Sequence, residues 1–221
     1  MKIQNITIEC YATFVIPIRK SFCCNTSYIM IEILSLYNAI SNSDKQLFES
    51  NVGSRKYNKG DLVLFDGEIQ DNIFLVRNGL LMMYYDGKEK NHVIDFAYSN
   101  RFCVDINSFS NQSPSMYSIE CMEDSEVESI SYEALMNVFE KSRDIERAYR
   151  ILTERILSSV IKRHLNLSCL SIKERFQQVI AARPELFSLV QHKYIASYLN
   201  IDPTNFSKLF NQFAKAKIKF Y

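Results

Sequence analysis

The chain has 221 residues, 47% hydrophobic and 23% charged, with a formal net charge of +1. That is the balance of an ordinary globular protein of one large domain or two small ones. No apolar run approaches the roughly 18 residues of a membrane helix, and the start lacks the basic, apolar and small-residue order of a secretory signal. The six cysteines, Cys10, Cys23, Cys24, Cys103, Cys121 and Cys169, form no CxxC pair. A disulfide framework is therefore not expected, and a reduced cytoplasm is. The charge is uneven: residues 1–140 hold 11 Lys+Arg against 19 Asp+Glu, and residues 141–221 hold 15 against 6. A basic C-terminal third suggests a module that binds a polyanion.

In chain order, residues 1–29 show no period and read as an uncertain N-terminal extension. Met30 opens a short amphipathic helix and is a candidate natural start. All five glycines fall between Gly53 and Gly87, so turn-rich β-structure belongs there. Lys59–Gly67 reads as turn, strand, turn. Strands are expected at Asn72–Val76, Leu80–Tyr85, His92–Ala97 and Tyr117–Ile130, with Asn78-Gly79 and Asp86-Gly87 as hairpin signals. Short strands at this spacing predict a sandwich or barrel.

After Ser131 the period changes. Ile145, Tyr149, Leu152, Ile156 and Val160 recur in steps of three and four, the stripe of a helix. With neither Gly nor Pro from Ser142 to Ser168, one long helix is expected, and its stripe is read as a parallel dimer interface. Ser171 and Glu174 form a capping box that starts a second helix, limited by Pro184.

The segment His192–Asn211 is the most informative. Ile195, Ala196 and Leu199 suit the inner face of a first helix. Asn200 stands where a left-handed residue is needed. Asp202 caps the next helix, and Pro203 suits its first position. Phe206 and Leu209 face inward, which leaves Thr204, Asn205, Ser207, Lys208 and Asn211 outside. This is the layout of a helix-turn-helix whose second helix enters the major groove. Thr and Asn can reach base edges, and Lys can meet guanine or phosphate. Lys193, Lys215, Lys217 and Lys219 flank the unit and suit phosphates. The competing reading is an ordinary helical hairpin with a polar face.

From about Met30 to Lys219 the chain resembles the Crp/Fnr-type transcription regulators, the catabolite-activator superfamily, in a short-winged version like those of Bacteroidetes. The resemblance is carried by Lys59-Gly-Asp-Leu62, Val76-Arg-Asn-Gly-Leu80, the strand Ser118–Ile130, the long helix, and Gln191–Pro203. It implies an α+β fold: an N-terminal double-stranded β-helix (a cyclic-nucleotide-binding-like β-roll) at 30–142, a dimerisation helix at 143–167, and a winged-helix or helix-turn-helix DNA-binding domain at 168–221. The family pattern puts Pro203, Thr204 and Lys208 where nucleotide-responsive members have Arg, Glu and Arg. Only the basic character at Lys208 is kept, so a different operator is expected.

The effector site departs further. Cyclic-nucleotide binders carry a Gly-Glu pair and, about a dozen residues on, an Arg for the phosphate. Val104-Asp105 stands at the pair, and no Arg occurs between Arg101 and Arg143. Burying a cyclic phosphate beside Asp105 without a cation is costly, so cyclic AMP is not the expected effector. Met82, Tyr84, Val104, Asp105, Ser115 and Tyr117 are the pocket candidates. Cys10, Cys23, Cys24 and Cys121 allow a cysteine-based redox sensor as an alternative, with spacing unlike that of cluster-binding relatives. His92, His164 and His192 form no metal set. No cofactor is expected, and no catalytic constellation supports an enzyme. Expected partners are double-stranded DNA, a second copy of the chain, an unidentified small-molecule effector and RNA polymerase. The other alternative is a ligand-binding or protein-interaction module with a vestigial DNA-binding head.

Overall fold

A computed structural model of the chain describes residues 28–87 and 90–218. Helices α1 (Ile29–Ser35) and α2 (Asn42–Glu49) come first, so the helix expected at Met30 is present. Most of the expected extension, residues 1–27, lies outside the described residues. The N-cap of α1, Tyr28, offers no side-chain acceptor. Glu128 supplies one from the distant strand β8 (Ser125–Ser131). Its carboxylate accepts the N–H groups of Ile29 at 2.6 Å and Met30 at 2.7 Å, partnering donors that a helix start leaves open.

The other strands are β1 (Gly53–Tyr57), β2 (Leu62–Leu64), β3 (Asn72–Asn78), β4 (Leu80–Asp86), β5 (Asn91–Tyr98), β6 (Arg101–Cys103) and β7 (Ser118–Cys121). They form two four-stranded antiparallel sheets, ordered β1-β8-β3-β6 and β2-β7-β4-β5. Asp86-Gly87 turns a true hairpin, with Asp86 opposite Asn91. Asn78-Gly79 does not, because β3 and β4 lie in different sheets. It is a corner that carries the chain from one sheet to the other. Gly79 has φ +94°, and a Cβ there would lie 2.2 Å from Ser125 Oγ and 2.6 Å from the Asp124 carbonyl. Left-handed backbone and close approach therefore both require glycine. The single strand expected over Tyr117–Ile130 is likewise divided, with β7 in one sheet and β8 in the other.

Phe74, Val76, Leu81, Ile119 and Val127 pack between the sheets. The opposite face of the β1-β8-β3-β6 sheet carries Ile73, Leu75 and Ile130 into a second core with α1, α2 and two further helices, α3 (Ile106–Asn111) and α4 (Tyr132–Lys141). The long helix α5 (Arg143–Cys169) follows. Ile145 and Leu152 are buried in this second core, and Tyr149 and Ile156 pack partly against it. This revises the expected dimer stripe. Four of its five residues cover the roll, because the apolar underside of the sheet needs a lid within the chain. Val160 alone is exposed.

The chain divides into two compact units inside α5, between Ile156 and Leu157. The second unit continues with α6 (Ile172–Ala182), α7 (Leu186–Leu189), α8 (His192–Tyr198) and α9 (Pro203–Ile218). The Ser171–Glu174 capping box is formed in both directions, and α6 stops before Pro184. Among the described residues this unit contains no strand, and α9 runs on to Ile218.

Candidate nucleic-acid interface and ligand cassette

The connection from α8 to α9 is built from local geometry. Asn200 has φ +51°. The N–H of Ile201 donates to the Ala196 carbonyl at 2.9 Å, and that of Asn200 to the Ser197 carbonyl at 2.9 Å, the bond pair of a Schellman end. Ile201 and Ala196 are both buried beneath the turn. Asp202 then accepts from the N–H groups of Thr204 at 2.8 Å and Asn205 at 3.2 Å, and α9 begins at Pro203, whose missing N–H costs nothing there.

Phe206 is fully buried. It contacts Phe176, Phe187, Phe210 and His192 at centroid distances of 5.4–6.3 Å. Pinned by this cluster, α9 exposes Pro203, Thr204, Asn205, Ser207, Lys208 and Asn211. The five expected on the outer side of the helix, Thr204, Asn205, Ser207, Lys208 and Asn211, are among them. Ser207 returns its hydroxyl to the Pro203 carbonyl at 2.9 Å. Lys193 is exposed, with its ammonium 4.6 Å from the Tyr194 ring centroid.

Three arginines that the sequence did not single out support this turn from within. Arg175 on α6 donates Nη1 to the Leu199 carbonyl at 2.9 Å and the Asn200 carbonyl at 3.4 Å. Arg163 on α5 donates to the Tyr198 carbonyl at 3.2 Å and lies 4.2 Å over the Tyr198 ring. Arg183, fully buried, donates to the Tyr198 hydroxyl at 3.1 Å. The first two guanidiniums cap the last carbonyls of α8, the negative end of its dipole. The available signal was weak: Arg175 sits four residues before the buried Val179, on the apolar side of α6.

In the roll, the residues expected to line an effector pocket separate into groups. Asp105 N-caps α3, accepting from Asn107 N–H at 3.0 Å and Ser108 N–H at 3.2 Å. Its other oxygen accepts the Ser115 hydroxyl at 2.7 Å, and Ser115 Oγ accepts the Tyr117 N–H at 3.0 Å. Burial, with Asp105 nearby, raises the Tyr117 phenol above its ordinary value. Gln70 accepts the Asp105 N–H at 2.6 Å. Ser108, fully buried, accepts the Gln70 N–H at 2.9 Å and donates to the Ser113 carbonyl at 2.6 Å. The cassette thus consumes its own polar groups. Asp105 is a structural cap, engaged on both oxygens. Val104 does not join it: its side chain packs against the second core. Met82 and Tyr84 are buried on β4, where Leu81 turns into the inter-sheet core and Met82 to the opposite side.

Cys121 is also in the inter-sheet core, its thiol pushed up to about 11 by burial. Cys103 is raised further for the same reason. A thiol kept protonated in an apolar core is a poor ligand or redox centre. The partners proposed for it, Cys10, Cys23 and Cys24, lie outside the described residues. Among those described, no group of three His, Cys, Asp or Glu side chains is placed to hold a metal.

Residues 54–142 match the family model of the cyclic nucleotide-binding domain. No curated protein matches the chain. Among solved structures, FixK2 from Bradyrhizobium japonicum is similar over 76% of this chain and 86% of its own, at 14% identity and a TM-score of 0.66. The c-di-GMP-responsive global regulator CLP of Xanthomonas campestris is similar over 80% and 93%, at 14% identity and 0.61. A protein from Eubacterium rectale described as a Crp/Fnr-family transcriptional regulator is similar over 84% and 88%, at 17% and 0.61. The chain has the fold of the Crp/Fnr-type regulators: a cyclic nucleotide-binding domain followed by C-terminal helices. No helix among the described residues is long and apolar enough to cross a membrane.

Proposed function

We propose that the chain is a sequence-specific DNA-binding transcription regulator of the Crp/Fnr type, acting in the cytoplasm as a homodimer. The observation that carries this reading is the α8–α9 unit. A left-handed turn at Asn200 and an aromatic anchor at Phe206 hold a helix whose outer face is Thr204, Asn205, Lys208 and Asn211. These are side chains that read base edges and phosphates.

Dimerisation is supported by the half of α5 after Leu157. Leu157, Val160, Ile161 and Leu165 are 52–58% exposed at helical spacing, an apolar face that a second copy would cover. Two recognition helices would then read half-sites about 34 Å apart, and RNA polymerase would be the downstream partner. The engaged Asp105 disfavours cyclic AMP in the usual site, because the cap would have to be broken to free the carboxylate.

The test is selection from a random DNA pool with purified protein and no added ligand. Enrichment of a palindrome is expected. Absence of any enriched sequence, with and without cell extract, would favour the vestigial head instead.

A further inference from the structure

The part of α5 from Leu157 onward carries two stripes. Leu157, Val160, Ile161 and Leu165 form the exposed apolar one. Arg163, Asn166 and Leu167, also at helical spacing but on a different side, meet Val179 of α6 and Leu199 of α8 around a gap of only about 10 Å³. Arg163 makes the longest-range connection there. It donates to the Tyr198 carbonyl, 35 positions away, at 3.2 Å, with its guanidinium 4.2 Å from the Tyr198 ring centroid. Tyr198 is itself fixed: it is buried, and its hydroxyl accepts from Arg183 at the end of α6. The covalent link alone does not set this arrangement. Only Leu170 and Ser171 separate α5 from α6, which fixes where the two helices meet but lets the angle between them bend. Arg163 stands six residues before Cys169, about 9 Å along the helix axis. A contact at that distance from the joint resists the rotation that the joint allows.

We propose that Arg163 is a positioning residue that sets the spacing between the two DNA half-sites. The inference rests on the dimeric DNA-binding reading above and adds to it the residue that fixes its geometry. Two copies paired along the exposed stripe would carry their recognition helices on rigid arms, each braced by Arg163 against Tyr198. One base pair more or less between the half-sites shifts the second by about 3.4 Å and turns it by about 35°. A braced head follows that movement only by breaking the Arg163–Tyr198 contact. An unbraced head pivots at Leu170 and Ser171, while the bonds of Arg175 and Arg183 keep α6 and α8 together. Loss of the brace therefore relaxes discrimination between spacings and leaves recognition within each half-site intact. A variant that merely destabilised the head would lower affinity for every spacing alike.

The experiment uses the full chain and the palindrome enriched by the selection, remade with one base pair added to or removed from its centre. Wild type should favour the native spacing steeply. Arg163→Met should bind the native and altered palindromes with similar affinity. Arg163→Lys, which keeps a cation for the Tyr198 ring, should restore the preference. A second measurement needs no DNA: residual dipolar couplings of amides in residues 157–169 and 192–198 should fit one alignment in wild type and two in Arg163→Met. Indifference of wild type to spacing would overturn the proposal, as would a wild-type preference in Arg163→Met or an equal loss at every spacing. Couplings in that variant that still fit one alignment would do the same. Failure of wild type to enrich any palindrome removes the DNA-binding reading and this proposal with it, whereas a steep preference that does not depend on Arg163 removes the proposal alone.

Discussion

The guanidinium of Arg175, nine-tenths buried on α6, donates to the Leu199 carbonyl at 2.9 Å. The end of α8 is therefore capped by a cation from another helix, at the turn that aims α9. Arg175→Met keeps the volume and removes the donor. Leaving buried carbonyls short of a partner costs about 1–3 kcal/mol. Denaturant unfolding of the variant should show a loss in that range, and DNA affinity should fall with it. An unchanged midpoint would mean that the Schellman bonds suffice alone.

Lys208 is exposed on the outer face of α9. If it meets a base, Lys208→Ala weakens binding by about 1–3 kcal/mol. If it meets phosphate, the slope of log affinity against log salt falls by about one. Affinity measured across a salt series distinguishes these. A variant that matches wild type in both removes Lys208 from the interface.

Glu128 is fully buried beneath α1, and burial raises its carboxyl above the usual range, against the lowering effect of the Ile29 and Met30 N–H groups and Arg77. The folded form holds its proton more tightly than the unfolded chain. Its contribution to stability is therefore complete below the ordinary Glu value and is lost as pH rises through the folded value. Denaturant midpoints followed upward from the acid side should decline in wild type over that window. Glu128→Gln should flatten this component, and a parallel decline in the variant would assign it to other groups.

The apolar face of the second half of α5 predicts an oligomer. Burying one aliphatic side chain is worth about 1.5–3 kcal/mol, and a symmetric interface loses two. Ile161→Glu should therefore raise the dimer dissociation constant roughly a hundredfold or more, read by sedimentation equilibrium. A monomeric wild type would refute the dimer outright.

Thiol reactivity checks the roll core. Cys169 is exposed, whereas Cys103 and Cys121 are buried. With its thiol at about 11, Cys121 carries very little thiolate at neutral pH. Peptide mapping after a brief exposure to an aromatic disulfide should find Cys169 modified and Cys103 and Cys121 intact until the protein is unfolded.

Much of the α8–α9 unit was legible in the sequence. The Asn200 turn, the Asp202 cap, Pro203 and the Ser171–Glu174 box each act within about four residues, so their chemistry is written in adjacent letters. The short strands and the long helix were readable for the same reason, since their periods are local. What the sequence left undecided was partnership. Asn78-Gly79 marks a turn in either case, but only the pairing of β3 with β8 and of β4 with β7 makes it a corner and not a hairpin. The Ile145–Ile156 stripe is apolar whether a roll or a second chain covers it, and the apolar underside of the sheet, packed against it, decides for the roll. Arg175 capping Leu199 spans 24 positions, and Glu128 capping Met30 spans 98. No local period encodes such pairs. They exist because a helix end without a partner is costly, and the tertiary structure determines which distant side chain meets that need.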